Sequence, residues 1–344
     1  MGGAAELCDQ AMGLFTQGHA AAATALLRQA YRLDPGEQGL LVNLGFTLMQ
    51  QGLADAAARC YGLALHGPDV VVRRSAHKNL GLLRLWQGRW AEGWHHYLQR
   101  HSGHAFAEGT WRGDPLNGQT LTVWNDLGMG DAFHFVRYTL PLLQRGERLR
   151  LAVHRSQIAV FEQHLAWPLE AVIDRDQFDL MAGPMIPLIH LAALLDAELH
   201  WGRSFAGPTW TGVGPKPAGA VGLCWASNPA DPTMAPYKST TAQRLLQLTG
   251  EARVLSLQTD DADTHRRLGL DPPSRDWVAT LQRIGSCSRV LSVDTAVAHL
   301  AAGAGVPVQL LLGGVPDWRW RHGGPSPWYP SLRLDPAGLA AAAG

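Results

Sequence analysis

The run from Arg289 to Leu312 constrains the fold of this chain more than any other segment. Residues 290–293 are apolar and rich in β-branched side chains, which is typical of a buried parallel strand. Small residues follow over 296–302, a Gly-rich turn ends them, and residues 308–312 are apolar again. The pattern predicts a strand–helix–strand unit. Such a unit implies a parallel sheet, and open sheets of this kind bind ligands at the carboxyl ends of their strands.

Polar residues stand where the first of these strands meets the helix. Asp294 and Thr295 end the strand, and the free backbone N–H groups of the helix start form an anion site suited to a diphosphate. A second interpretation stays open at this point. It makes Asp294 a helix cap only and His299 an ordinary residue of the helix face.

Residues 6–101 repeat a pattern of two amphipathic helices joined at a glycine. Gly18 recurs as Gly52, 34 residues later, and a third copy places Gly88 at the same point. A Leu-Gly pair precedes that glycine in the second and third copies. The pattern resembles tetratricopeptide repeats, which implies helix pairs that stack into one block. Such a block offers a groove to a protein or peptide partner, or it serves as a structural cap on the next domain.

Strand and helix patterns alternate after the repeats, which indicates parallel sheets. Among these elements, the pattern predicts helices over 131–144 and 186–195 and a short strand over 178–180. A Gly- and Pro-rich break between residues 205 and 218 divides this part into two Rossmann-like halves. We therefore expect an α/β protein with an all-α N-terminal part. The predicted domains are helical repeats over 1–108, a first half over 109–210 and a second half over 211–344. A cleft between such halves is a common place for a ligand.

The turn after the first strand of the first half carries the candidate catalytic residues. Gly128 and Gly130 let the backbone turn sharply and approach a ligand, with Asp126 in the same acceptor-side loop. Asp131 starts the following helix and is the candidate general base for an acceptor hydroxyl, although a helix cap is the alternative. His134, one helical turn further on, is the second candidate base.

The second half supplies polar and basic residues for a donor. Ser227 and Asn228 follow its first strand and are able to bind phosphate or sugar hydroxyls. Lys238 offers a cation for a leaving diphosphate, and the alternative is a solvated loop lysine. Arg319 lies among tryptophans, where it can pair with phosphate beside a stacked base. The nearby tryptophans are Trp318, Trp320 and Trp328. For at least two of the three we favour packing against the core over base stacking.

Composition excludes several other classes of function. Lys plus Arg and Asp plus Glu number 29 each, so a nucleic-acid-binding surface is not expected. The four cysteines are scattered without metal-ligand spacing and fit a reducing compartment. The start of the sequence lacks the pattern of a secretory signal, and no apolar run is long enough to span a membrane. We expect a cytoplasmic protein.

Several motifs together resemble those of bacterial tetratricopeptide-repeat proteins that carry a GT-B glycosyltransferase domain. That domain is similar to the heptosyltransferases of glycosyltransferase family 9, and more distantly to O-linked N-acetylglucosamine transferases. The motifs are GMGDAFHF at 128–135, CWASNP at 224–229, SLQ at 256–258, SVDTAVAHLA at 292–301, PDWRW at 316–320 and SPWYPSLRL at 326–334.

The resemblance implies roles for individual positions. Asp131 matches the acidic residue that acts as base, while Asp294, Thr295 and His299 match the donor-binding loop and helix start. Lys238 falls where the family has a basic residue near the donor phosphates. The implied activity is metal-independent transfer of a sugar from a nucleotide diphosphate sugar to an acceptor hydroxyl, without a resident cofactor. The alternative is a non-catalytic scaffold whose degenerate transferase domain binds a nucleotide sugar or a protein partner.

Overall fold

The computed structural model describes residues 2–101, 110–177, 183–199, 209–227, 234–250, 252–313, 317–320, 324–326 and 328–335. The N-terminal part is all-α. Its helices are α1 (Gly2–Thr16), α2 (Ala20–Leu33), α3 (Gly39–Gln50), α4 (Ala54–Ala64), α5 (Val70–Trp86) and α6 (Trp90–Leu98), followed by a 3₁₀ turn at Gln99–His101. Nowhere in the described ranges is a helix both long and apolar enough to cross a membrane.

The recurring glycines explain how these helices pair. Gly18, Gly52 and Gly88 each have a positive φ and join the two helices of a pair. A Cβ atom on Gly45 would lie 2.5 Å from the Tyr61 ring, and one on Gly81 would lie 2.6 Å from the Tyr97 nitrogen. The Leu-Gly pairs therefore mark the close contact between paired helices. The three predicted helix pairs are confirmed.

The first α/β half contains a parallel sheet with strand order β3-β2-β1-β4. Its strands are β1 (Leu121–Trp124), β2 (Leu149–Val153), β3 (Ala171–Asp174) and β4 (Met185–Pro187). Its helices are α7 (Met129–Phe135), α8 (Leu140–Gln144), α9 (Ile158–His164) and α10 (Leu188–Leu199), with 3₁₀ turns at Val136–Thr139 and Arg155–Gln157.

Two predictions for this half need correction. The helix expected over 131–144 is interrupted by the 3₁₀ turn, because Pro141 lacks an N–H and can stand only at the start of α8. The helix expected over 186–195 begins at Leu188, since residues 185–187 pair with β1 as a strand. The short strand expected at 178–180 lies outside the described residues.

The second half contains a sheet with strand order β6-β5-β7-β8-β10-β9, in which only β9 and β10 are antiparallel. Its strands are β5 (Ala220–Cys224), β6 (Val254–Ser256), β7 (Cys287–Val293), β8 (Val308–Leu311), β9 (Gly324–Pro325) and β10 (Leu332–Asp335). Its helices are α11 (Ala235–Lys238), α12 (Ala242–Gln247), α13 (Ala262–Leu268), α14 (Trp277–Ile284) and α15 (Ala296–Gly303).

The strand–helix–strand unit predicted for residues 289–312 is β7–α15–β8, whose strands pair in parallel. The predicted fold class, helical repeats followed by parallel-sheet α/β halves, is therefore confirmed. Helix α13 and strand β10 were not predicted. Both are short: α13 has seven residues, and the apolar–polar alternation of β10 extends over only four.

One hydrophobic core is shared by the two halves and the last repeat. Trp210 is fully buried between them and contacts Phe133 and Phe161 edge-on. Phe133 in turn contacts Trp277 of the second half, with ring centres 5.0 Å apart. Trp94 belongs to this core, whereas the first two repeats form a core of their own. The shared core fixes the loops of the two sheets against each other.

Candidate active site

Two turns, one from each sheet, meet at the candidate site. The first follows β1 and begins helix α7, where the Gly128 N–H donates to Asp131 Oδ2 at 3.1 Å. The second follows β7 and begins helix α15. A Cβ atom on Gly130 would lie 3.2 Å from His299 and 3.3 Å from Ala296, so a larger residue would push the two helix starts apart by a few tenths of an ångström. Asp131 therefore caps α7, as the alternative interpretation expected, and its side chain also faces the second half.

Asp131 forms an ion pair across the two halves. Arg319 Nη2 donates to Asp131 Oδ1, and Arg319 Nη1 donates to Asp317 Oδ1 at 2.7 Å. The Arg319 side chain is only 8% exposed, and its guanidinium lies over the rings of Phe135 and Trp318. Burial opposes its charge, but the two carboxylates outweigh that effect and raise the pKa of Arg319 above its ordinary value.

The pKa of Asp131 is raised. Burial disfavours the charged carboxylate more than Arg319 stabilises it, and Asp317 and Asp294 add repulsion. The carboxylate is nevertheless not sealed off, because the Asp131 side chain remains 24% exposed. A carboxylate with a raised pKa is a better proton acceptor than an ordinary aspartate.

Lys238 and Asp294 form the second ion pair of the site. Lys238 Nζ donates to Asp294 Oδ2 at 2.8 Å, and Trp320 Nε1 donates to Asp294 Oδ1 at 2.9 Å. Burial alone would raise the pKa of the Asp294 carboxyl, but Lys238, His299 and these hydrogen bonds hold it below its usual range. Asp294 is therefore ionised, and Lys238 is a paired cation of the site rather than a solvated loop lysine.

His134 and His299 both contact the hydroxyl group of Tyr329. The Nδ1 atom of each lies 3.0 Å from the Tyr329 hydroxyl, which donates to one ring and accepts from the other. Burial lowers the pKa of His299 to about 3 and that of His134 well below its ordinary value, so both rings are neutral. His134 is fully buried, so the structure places this second candidate base in the packing between the two turns.

The remaining donor-side candidates lie after β5 and β7. Thr295 Oγ1 lies 3.2 Å from Ser292 Oγ and does not cap helix α15, so its hydroxyl is not what satisfies the helix-start N–H groups. Ser227 donates its N–H to Ser239 Oγ at 3.1 Å, which joins the turn after β5 to the segment that follows Lys238. Asn228 lies outside the described residues.

Asp126 does not join the other candidates. It pairs with Arg100 of the repeat block, and both side chains are only 5% exposed. Arg100 also bonds to His190 at 2.7 Å and donates to the Tyr97 carbonyl at 3.3 Å. Asp126 thus ties the first half to the repeats.

A small cavity lies beside one of the ion pairs. It has a volume of about 10 Å³ and is lined by Lys238, Asp294, Asp317 and Tyr237 among others. That space is enough for about one water molecule. A nucleotide sugar would enter this cavity only if lining side chains such as Lys238 and Asp294 moved.

Several residues of the site were not singled out from the sequence. Asp317, Trp320 and Tyr329 each hold one of the predicted residues in place. The packing interpretation of the tryptophans is confirmed, since Trp318, Trp320 and Trp328 are all buried. The hydrogen bond from Trp320 to Asp294 could not be inferred, because nothing in the spacing of the two residues indicates their contact.

Comparisons with known proteins give one match to a family model, in the repeats, and distant likenesses to solved structures. Residues 14–67 match the family model of the tetratricopeptide repeat, and no curated protein sequence matches the chain significantly. The E. coli heptosyltransferase WaaC with ADP aligns over 65% of this chain and 98% of its own, with 14% identity and a TM-score of 0.45. The dodecameric iron-containing glycosyltransferase TibC from enterotoxigenic E. coli aligns over 63% and 66%, with 12% identity and a TM-score of 0.40.

A third similar structure is that of a Thermobaculum terrenum O-GlcNAc transferase mutant. It aligns over 92% of this chain and 83% of its own, with 13% identity and a TM-score of 0.29. Likeness at these levels does not transfer side-chain roles. Roles for individual residues are therefore inferred from the side-chain geometry of this chain.

Proposed function

We propose that this protein is a glycosyltransferase that moves a sugar from a nucleotide diphosphate sugar to an acceptor hydroxyl. The observation that supports this most is the meeting of two ion pairs, Asp131–Arg319 and Lys238–Asp294, where the strand ends of the two sheets face each other. Such a site offers a base for the acceptor and two cations for a departing diphosphate.

Asp131 is the proposed base. The acceptor hydroxyl gives its proton to the Asp131 carboxylate, and its oxygen forms a bond to the anomeric carbon of the sugar. The bond between that carbon and the diphosphate oxygen breaks, and the diphosphate leaves with the electron pair. The raised pKa of Asp131 suits it to hold the proton during this step.

Arg319 and Lys238 are the proposed diphosphate ligands. In the structure each cation is engaged by a carboxylate, Arg319 by Asp131 and Lys238 by Asp294. A diphosphate competes with those carboxylates for the same cations, because charge-assisted hydrogen bonds to phosphate oxygens are strong. Binding of the donor would in this way release Asp131 from Arg319 and free it to accept a proton.

The start of helix α15 supplies the third proposed element of donor binding. Thr295 does not cap the helix, and the positive end of its dipole favours an anion. Two cations and a helix start are sufficient to neutralise a diphosphate, so we propose that transfer needs no divalent metal. We assign Asp294 and His299 to the donor side of the site, in contact with Lys238 and Tyr329.

A second candidate function is a non-catalytic scaffold. The observation that favours it is that Asp131 is already paired with Arg319, while the cavity beside Lys238 and Asp294 has only about 10 Å³. In that role the α/β part binds a nucleotide sugar or a protein without turnover, and the repeats bind a protein or peptide partner. We place either function in the cytoplasm, because the four cysteines are free.

A binding experiment tests the proposal. Wild type, Lys238→Met and Lys216→Met are screened by thermal shift against nucleotide sugars, and any donor that binds is then titrated by calorimetry. Lys216 is an exposed lysine of the second half and serves as the matched control. Lys238→Met should weaken the affinity about 10- to 100-fold, the effect of losing a charge-assisted hydrogen bond. The absence of any binding donor, or equal affinity of the two variants, would count against the proposal.

A further inference from the structure

The first helix of the repeats contacts the segment that carries Lys238. The Tyr237 ring stacks on the ring of Phe15 in α1, with centres 4.7 Å apart and planes 28° apart. The Tyr237 hydroxyl also donates to the Phe15 carbonyl at 3.0 Å. Tyr237 immediately precedes Lys238 in α11, so this contact lies one residue away from a cation of the proposed donor site.

Phe15 is a firm support for this contact. It is fully buried in the core of the first two repeats and packs against Phe46 of α3, with ring centres 5.1 Å apart. Its carbonyl lies in the last turn of α1 and accepts from the Gly18 N–H at 2.9 Å, and its second lone pair accepts from the Tyr237 hydroxyl. The repeats thus present an aromatic face and a hydrogen-bond acceptor at one place.

Helix α11 depends on external contacts for its position. It has four residues, which is one turn, and helices this short are not stable by themselves. After it, Thr240 is tied to the second half by a bond from its N–H to the Trp225 carbonyl at 2.8 Å. Among the described residues, Tyr237 joins the helix itself to the repeats through Phe15.

We propose that Tyr237 is a positioning residue through which the helical repeats hold the Lys238 ammonium against Asp294. Lys238 Nζ reaches Asp294 Oδ2 only while α11 stays where Tyr237 and Phe15 place it. The repeats are then part of the donor site rather than a separate module. The expected effect on donor affinity rests on the proposed function, whereas the positioning of α11 does not.

A second contact supports the same arrangement at the other cation. Trp318 precedes Arg319 and lies edge-on against Trp94 and Trp90 of α6, with ring centres 5.7 and 6.2 Å apart. The last repeat therefore supports the turn that carries Arg319, as the first repeat supports the turn that carries Lys238. Both cations follow directly after an aromatic residue that packs on the repeats.

The test compares Tyr237→Ala, Tyr237→Phe and Tyr31→Ala in the full-length chain. Tyr237→Phe keeps the stacked ring and loses only the hydrogen bond. Tyr31 is also half-buried and packs against the same core from helix α2, so its replacement controls for general loosening of the repeats. Hydrogen–deuterium exchange of peptides covering 234–240 reports on the position of α11 without any ligand. Titration with ADP, UDP and GDP reports on the donor site.

In Tyr237→Ala, exchange over 234–240 should become at least about tenfold faster, because local opening reflects the contacts that hold a segment. Tyr237→Phe should lie between this variant and wild type, and Tyr31→Ala should match wild type over these residues. Unchanged exchange in Tyr237→Ala, or an equal increase in Tyr31→Ala, would overturn the inference. If exchange rises as expected but no nucleotide binds even to wild type, the positioning role stands and the proposed function fails.

Discussion

The ion pair between Arg100 and Asp126 gives a quantitative prediction about stability. It concerns the junction between the helical repeats and the first α/β half. Both side chains are 5% exposed, and they join the 3₁₀ turn after α6 to the loop after β1. Asp126→Ala would leave the Arg100 charge buried without its carboxylate. Removing one partner of a buried ion pair typically costs about 3–5 kcal/mol, mainly through the charge that is left behind.

For Asp126→Ala, the contacts that Arg100 retains put the expected loss of stability at the lower end of that range. Arg100 keeps its bonds to His190 and the Tyr97 carbonyl, and its guanidinium remains 4.3 Å from the centre of the Tyr97 ring. We therefore expect Asp126→Ala to lower the free energy of unfolding by about 3 kcal/mol. Asp126→Asn retains an acceptor oxygen and should cost about 1–2 kcal/mol.

Urea denaturation followed by tryptophan fluorescence measures these differences. The control is Asp263→Ala, which removes an ion pair with Arg266 on an exposed helix surface and should cost at most about 1 kcal/mol. Adding Arg100→Met to Asp126→Ala should recover stability, because the uncompensated charge is removed. The reasoning about this junction is wrong if Asp126→Ala lowers the free energy of unfolding no more than Asp263→Ala does. It is also wrong if adding Arg100→Met to Asp126→Ala lowers that free energy further.

Four further predictions concern the site and its support. Asp131→Asn retains an N-terminal cap for α7 and no longer competes with the diphosphate for Arg319, so it should bind donor at least as tightly as wild type, yet transfer should fall at least about a hundredfold in initial-rate assays. Transfer should persist in excess EDTA; loss of activity that magnesium restores would show that the two cations do not suffice. A chain beginning at Thr110 should lack a cooperative thermal transition, because it loses Leu85, Trp94 and Tyr97 from the shared core. A cooperative transition with intact nucleotide binding would show that the repeats are separable. Because burial keeps His134 and His299 neutral when folded, the unfolded chain takes up more protons below about pH 6.5, the ordinary histidine pKa. The free energy of unfolding should then fall toward pH 3 by about 1.4 kcal/mol per pH unit for each histidine, and urea titrations showing no such decline would contradict their buried neutral state.

Local patterns were sufficient to predict the elements that position the site. The β7–α15–β8 unit and strand β1 follow from short apolar runs and from the turn residues that end them. Asp131 and Asp294 could be selected because each stands just beyond a predicted strand, where a parallel sheet exposes its loops. Their surroundings could not be predicted, since a strand end indicates a location and not a partner.

The contacts that define the site join residues far apart in the sequence. Arg319 was expected near a donor phosphate, and the structure pairs it with Asp131 from the other half. Asp126 was expected beside an acceptor, and it pairs with Arg100 of the repeats. Such pairings depend on how the helical repeats and the two α/β halves pack against one another. Single-sequence patterns carry no information about that packing. The break at Val136–Thr139, by contrast, has a local cause, because Pro141 stands just after it.

The most direct test of the account is turnover of a nucleotide sugar. Wild type and Asp131→Asn are incubated with each donor that binds in the thermal-shift screen, and the nucleoside diphosphate released by transfer or slow hydrolysis is measured over time. The account predicts that wild type releases nucleoside diphosphate from at least one donor and that Asp131→Asn, at similar occupancy, releases it at least about a hundredfold more slowly. Release at the same rate by both proteins would contradict the role of Asp131. Tight donor binding without any release by wild type, with acceptors supplied, would contradict the transferase and favour the scaffold.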